Sequence, residues 1–157
     1  MTISRTIHVN GKARRAVIEG SETLLDVLRD QFGLTGAKRG CNQGVCGSCT
    51  VLIDRKAARS CLFLAALADK SEIVTVEGLA TDGKLSPVQQ AFVDAGAVQC
   101  GFCMPGMVIA ATALLAEIAA PNAEDIRAGL AGNLCRCSGY VKVVAAVRRA
   151  VASKDVG

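Results

Sequence analysis

The residues able to do chemistry in this chain are cysteines, and they fall into two groups. The first reads C-x4-C-x2-C, with Cys41, Cys46 and Cys49, and is completed by Cys61 after an x11 gap. The second reads C-x2-C-x31-C-x-C, with Cys100, Cys103, Cys135 and Cys137. Thiolates are soft ligands that take zinc, copper(I) or iron–sulfide cores. The spacing of the first group suits a 2Fe–2S cluster, in which each iron takes two thiolates and two sulfides bridge the irons. Such a cluster is an anion and needs donors aimed at sulfur. Gly36, Gly40, Gly44 and Gly47 allow a loop tight enough to turn backbone N–H groups inward, and Lys38 and Arg39 add positive charge beside it. A disulfide loop or a structural zinc site is the alternative for these four thiols.

In the second group each pair stands just before an expected helix: Cys103 before Pro105, and Cys137 before Ser138-Gly139. Both pairs are therefore expected at helix N-termini, where partial positive charge stabilises thiolates and anionic clusters. Four thiolates between two helix ends suit a second iron–sulfur cluster. Zinc remains open here too, although C-x-C is an unusual zinc pair.

Redox compartment matters for eight cysteines. In a secreted chain an even count would suggest disulfides. The N-terminus, from Met1 to His8, has no apolar signal region and alternates like a strand; Arg14-Arg15 is not followed by an apolar run. A cytoplasmic protein with reduced, metal-binding thiols is expected. His8, the single histidine, lies on that strand away from every cysteine pair and reads as a surface residue.

The composition excludes other classes. One Tyr, four Phe and no Trp leave few platforms for stacking bases, so nucleic-acid binding is not expected. The net charge of +4 is scattered, apart from pairs such as Arg14-Arg15 and Arg148-Arg149. There is no Ser-His-Asp set, no Cys-His pair and no phosphate loop, so no catalytic residue is assigned and no substrate chemistry is expected on this chain. Hydrophobic residues make up 51%, enough for a real core.

The elements that must position the thiols follow from periodicity. Residues 3–9 alternate, Asn10-Gly11 is a hairpin turn, and 12–18 is the return strand. Ser21 or Thr23 caps a helix with Leu24, Leu25, Val27, Leu28 and Phe32 on one stripe, stopped by Gly33. Residues 50–53 read as a buried strand, Asp54-Arg55-Lys56 as a turn, 57–60 as its partner delivering Cys61, and 73–76 as a last strand. Beyond a polar connector at 78–85 the pattern is helical. Ser86-Pro87-Val88-Gln89 starts one helix, with Val88, Phe92 and Ala95 on its inner side. The apolar run 104–120 is a buried central helix, since Pro105, Gly106, Thr112 and Glu117 argue against a membrane span. Asn122 caps a third helix with Asp125 at N3. The fourth runs from about Tyr140 to Ala152, with Tyr140, Val144, Val147 and Val151 on its stripe. The fold class is α+β, with a strand-rich domain at 1–77 and a helical domain at 86–157.

With both cysteine groups read, the chain resembles from end to end the small 2Fe–2S iron–sulfur subunit of the molybdenum hydroxylases, the xanthine oxidase family. The resemblance lies in Gly40-Cys41, Gly44-Val45-Cys46-Gly47-Ser48-Cys49-Thr50-Val51, Gln99-Cys100-Gly101-Phe102-Cys103, Pro105-Gly106-Met107 and Asn133-Leu134-Cys135-Arg136-Cys137-Ser138-Gly139-Tyr140. Met104 and Ser138 stand where the family often has Thr, and neither is a ligand. The resemblance implies a ferredoxin-like β-grasp domain followed by a four-helix bundle, each holding one 2Fe–2S cluster. It implies a large partner subunit that binds molybdopterin, and a medium FAD-binding subunit or a cytochrome as acceptor. It implies that Gln99 and Cys137 lie nearest the pterin, that the second cluster accepts electrons and that the first passes them on. A diffusible ferredoxin is the competing reading, but such carriers tend to be strongly acidic for steering, and this chain is basic.

Overall fold

The computed structural model describes residues 2–154. The chain opens with a hairpin of β1 (Thr2–Val9) and β2 (Lys12–Glu19), with Val9 paired to Lys12. Asn10 and Gly11 both take positive φ, 52° and 72°, the twist that a two-residue hairpin loop requires. Alternation places Ile7, Val9, Ala16 and Ile18 on one buried face. β3 (Thr50–Ile53), β4 (Lys56–Arg59) and β5 (Glu72–Val74) complete a mixed sheet in the order β2-β1-β5-β3-β4. β1 runs parallel to β5, and the other pairs are antiparallel. β4 and β5 begin one residue before the 57–60 and 73–76 expected from sequence. Asp54 and Arg55, at φ 50° and 70°, make the whole turn, so Lys56 already pairs with Ile53. At the far end Asn10 Oδ1 takes the Thr75 N–H at 2.9 Å and ends β5 early.

Thr23, rather than Ser21, caps the helix that crosses the sheet. Its hydroxyl accepts from Asp26 N (3.3 Å), and Asp26 Oδ2 accepts from Thr23 N (2.8 Å). The segment is α-helical only over α1 (Leu24–Asp26) and continues over Val27–Gln31 as a π-helix, closed by Phe32 N donating to Val27 O. Leu24, Leu25, Val27 and Leu28 are all fully buried, and the wider turn keeps this dense apolar run on one core.

Asp26 also ion-pairs with Arg39. Burial alone would raise its pKa, but the Thr23 hydroxyl and N–H, and then the Arg39 guanidinium, outweigh burial and hold the carboxyl below its ordinary 3.8. A depressed folded-state pKa means that the stabilisation is fully present above 3.8 and is lost as pH falls through the lower, folded value. Asp26→Asn is therefore expected to cost about 1 kcal/mol at neutral pH, as loss of a helix cap does. Its denaturation midpoint should converge with that of the parent in strongly acidic buffer. A gap of constant size across that range would show that the carboxylate charge plays no part.

The helical half begins after Thr81 and Lys84 pair across a turn within the connector. It comprises α2 (Pro87–Asp94), α3 (Met104–Glu117), α4 (Ala123–Leu130) and α5 (Val141–Lys154), which with α1 makes five α-helices among the described residues. Ser86 with Gln89, and Asn122 with Asp125, form reciprocal caps, as the sequence indicates. α3 is buried over ten of its residues, nearly all round, because it is covered on two sides. One side joins Phe92, Ile126, Leu130 and Val147; the other sends Ile109 and Ala113 against Leu52 of β3. Burying a side chain such as Ile109 contributes roughly 2 kcal/mol, so this seam binds the sheet to the helices. The helix stops at Glu117 and Ile118 is extended (φ −122°, ψ 107°), short of the expected 120. Its 14 residues span about 21 Å, where a bilayer core needs about 30 Å. No helix among the described residues is long and apolar enough to cross a membrane.

α5 corrects the expected stripe. Tyr140 lies at φ +67° and cannot be helical, so the helix begins at Val141. Its buried side is Val143, Ala146, Val147 and Ala150; Val144 and Val151 sit at the margin, and Tyr140 is outside it.

Candidate metal centres

Strand pairing explains the long gap in the first cysteine group. Cys49 immediately precedes β3 and Cys61 follows β4 by one residue, so the hairpin pairing Thr50 with Arg59 returns Cys61 beside Cys49. Ser60 ties the corner, its N–H and hydroxyl donating to Cys49 O at 3.3 and 2.7 Å. Cys49 and Cys61 are buried; Cys41 and Cys46 are half-buried in the preceding loop. The N–H groups of Gln43 (3.5 Å) and Cys46 (3.3 Å) point at Cys41 Sγ. They bring the Cys41 pKa down to about 6, with the Cys46 N–H the larger cause. Cys61 is pushed up to about 11 by burial and by the neighbouring Cys49 thiol. The thiols thus stand in pairs, Cys41 by Cys46 and Cys61 by Cys49, and Cys61 also feels Cys41.

The expected contribution of Lys38 and Arg39 is not what the structure shows. Lys38 Nζ donates to Thr35 O and Gly36 O, and Arg39 turns to Asp26 and Asp30. Backbone donors, not these cations, face the Cys41 sulfur.

The second group also gathers. Cys103 is the N-cap residue of α3 and is buried. Cys135 and Cys137 lie just before α5, which begins at Val141, one residue after the expected start; Ser138, Gly139 and Tyr140 intervene, with Gly139 and Tyr140 at positive φ, and form a turn of their own. In that turn Ser138 donates to Cys135 Sγ from its N–H (3.3 Å) and its hydroxyl (3.2 Å). Burial opposes ionisation of Cys135, but the Ser138 donors prevail and bring it down to about 7. Burial, and then Cys135, push Cys103 up to about 12. The Cys100 thiol beside Cys137 raises the latter. The pairs are Cys103 with Cys135, inward, and Cys100 with Cys137, exposed. Gln99 is exposed on the same edge, its Nε2 donating to Cys137 O at 3.3 Å. His8 stands apart on β1, half-exposed and 3.9 Å from Glu72.

Among the described residues, no group of three or more His, Cys, Asp or Glu closes around a single ion. Thiols held two and two, with backbone and hydroxyl donors on sulfur, fit a pair of irons bridged by sulfide.

The two loops touch. Leu134 N donates to Cys46 O at 2.9 Å, one residue before Cys135. Buried Asn133 donates from Nδ2 to Gly47 O (3.0 Å) and Thr50 Oγ1 (3.2 Å). Arg59 donates from Nη2 to Gly132 O (2.5 Å) and from Nη1 to Thr50 Oγ1 (2.8 Å). Thr50 and Asn133 stood in the sequence only as members of the resembling stretches and Arg59 only in an expected strand; none had a role, because the contacts they make join positions far apart in the chain.

Residues 7–78 match the 2Fe-2S iron-sulfur cluster binding domain, and residues 75–148 match the [2Fe-2S] binding domain. The nicotinate dehydrogenase small FeS subunit of Eubacterium barkeri is 51% identical, over 95% of each chain. The xanthine dehydrogenase iron-sulfur-binding subunit of Escherichia coli O157:H7 is 49% identical, over 91% of each. A solved structure, quinoline 2-oxidoreductase from Pseudomonas putida 86, superposes with a TM-score of 0.94 at 44% identity, covering 99% of this chain and 98% of that one. Two 2Fe–2S domains in series define an iron–sulfur electron-transfer protein with two clusters. The chain belongs to the small iron–sulfur subunits of the molybdenum hydroxylases, the xanthine oxidase family.

Proposed function

We propose that this chain relays electrons within a multi-subunit molybdenum hydroxylase, with Cys41, Cys46, Cys49 and Cys61 holding one cluster and Cys100, Cys103, Cys135 and Cys137 the other. Each 2Fe–2S cluster, when bound, takes up and returns one electron. The chain's own residues supply the cradle. The Gln43 and Cys46 N–H groups favour the anionic sulfur of Cys41, and Ser138 does the same for Cys135. Within each set we assign one close pair of thiols to each iron. The observation that supports the reading is the neighbouring of thiols two by two, Cys41 with Cys46, Cys49 with Cys61, Cys103 with Cys135 and Cys100 with Cys137, with the Leu134–Cys46 hydrogen bond among those that join the two loops.

The partners are those that the resemblance implies. A large molybdopterin-binding subunit docks on the edge where Gln99, Cys100 and Cys137 are exposed, and Gln99, with both an amide donor and an acceptor, faces the pterin. The first cluster then passes electrons to FAD on a medium subunit or to a cytochrome. The complex works in the cytoplasm. Iron and acid-labile sulfide in two-to-two ratio per cluster, two clusters per chain and two separate EPR signals are the expected results. Zinc without sulfide would overturn the reading. Co-purification of the native complex should recover the molybdopterin subunit.

The partition places a β-grasp ferredoxin-like domain at 1–77, a connector at 78–85 and a four-helix bundle at 86–157. A fragment ending near Leu79 is expected to fold and keep one cluster, less stably than in the full chain, because it loses the Leu52–Ile109 seam and the Asn133 and Leu134 hydrogen bonds. If the fragment binds no cluster where the full chain binds two, the ligand sets are shared between the halves.

A further inference from the structure

We propose that Asn133 and Arg59 are positioning residues for electron transfer between the two clusters: together they hold the Leu134 N–H on the Cys46 carbonyl, and with it a bonded connection between the two thiol sets. The inference rests on the ligand assignment above. From Cys135 the connection runs along the backbone to Leu134 N, across a 2.9 Å hydrogen bond to Cys46 O, and through Cys46 to its sulfur. Electronic coupling falls off more gently along bonds and a short hydrogen bond than across an open gap, so loss of this contact, which bonds directly to the Cys46 backbone, weakens the coupling.

Leu134 cannot secure the contact itself, because its side chain is 48% exposed. Its neighbours do so. Asn133, only 3% exposed, fixes the residue before Leu134 to Gly47, the residue after Cys46, and to Thr50. Arg59 fixes Gly132 to Thr50, and the Thr50 hydroxyl donates to Gly47 O at 2.5 Å. Residues 132, 133 and 134 are thus each hydrogen-bonded to the first cluster loop or its hairpin. A buried amide is costly unless its hydrogen bonds are made, and here they are spent on aligning two loops. The step itself is simple: one electron leaves the Cys135 side and the same electron arrives at the Cys46 side, with no proton moved, no bond broken and no co-reactant.

The test uses full-length protein carrying both clusters: the parent, Asn133→Ala, Arg59→Met and Arg59→Lys. A substoichiometric electron pulse is applied, and redistribution between the two clusters is followed by their separate spectra. Iron and sulfide content, each cluster's potential and hydrogen exchange at the Leu134 N–H are measured alongside. Asn133→Ala should slow redistribution roughly tenfold or more, the scale expected when a group orienting a metal ligand is removed, with potentials unchanged and Leu134 deprotected. Arg59→Met should move the same way, and Arg59→Lys should fall between it and the parent, since a single ammonium replaces the fork of donors. An unchanged rate with Leu134 deprotected overturns the proposal. If Asn133→Ala loses a cluster, the Arg59 pair decides: a rate that tracks Leu134 protection supports the proposal, and a rate indifferent to it overturns it. A parent protein with only one type of cluster would instead overturn the ligand assignment.

Discussion

Cys137→Ser in the assembled enzyme is expected to abolish fast substrate-driven reduction of the cluster that remains, whereas Cys46→Ser should leave that reduction intact and stall delivery to the external acceptor. The asymmetry follows from where the thiols lie. Cys137 and Cys100 are exposed beside Gln99, on the edge where an electron donor can approach. Cys46 lies at the junction, its carbonyl bonded to the residue before Cys135, so its set is reached through the other. Serine offers iron a harder oxygen whose proton is held far more tightly than that of a thiol, so each substitution should remove one cluster and spare the other. Both variants are first checked for assembly and retained molybdenum cofactor; stopped-flow spectra of the surviving cluster then read the result. The reverse pattern would exchange the roles of the two halves.

Much of this was legible in the sequence, and for a physical reason. Local signals survive without tertiary context: Asn10-Gly11 for the hairpin, and Ser86-Pro87 with Gln89 and Asn122 with Asp125 for helix starts, each resting on contacts within a few residues. The two 2Fe–2S domains were legible because cysteine spacing reports ligand geometry. What failed depended on packing. The π-helical turn at Val27–Gln31 answers a core that buries four adjacent apolar side chains, which periodicity reads as an ordinary helix. The stripe of α5 lost Tyr140, which takes positive φ, a conformation its side chain does not advertise, and centres on Val147 with Val143, Ala146 and Ala150. Lys38 and Arg39 looked like cluster-facing cations until the carbonyls and carboxylates that claim them were placed in space.

The junction between the loops should be the part of the molecule least tolerant of added volume. A Cβ on Gly106 would lie 2.3 Å from Gly47 O, and one on Gly47 would lie 2.4 Å from Gly132 O. Both obstacles are backbone and cannot rotate aside, and Gly47 already holds φ +76°. Gly106→Ala is therefore expected to cost about 3 kcal/mol, the upper end for overpacking, despite the gain in helix propensity. Gly47→Ala should cost at least as much, since a side chain at positive φ adds about 1–2 kcal/mol. Gly129→Ala is the control: its Cβ would meet Leu114 side-chain atoms at 2.9 and 3.0 Å, which can move, so its cost should be far smaller. The double variant Gly47→Ala/Gly106→Ala should lose less than the sum of its parts, because a single outward shift of Gly47 from α3 and Gly132 relieves both clashes. That shift also draws Cys46 O from Leu134 N, so cluster loss on dilution should rise in step with the destabilisation. Denaturant midpoints and iron release measured together decide the matter. Strictly additive losses, or destabilisation without faster iron release, would mean that the junction is ordinary packing and does not support the cluster loops.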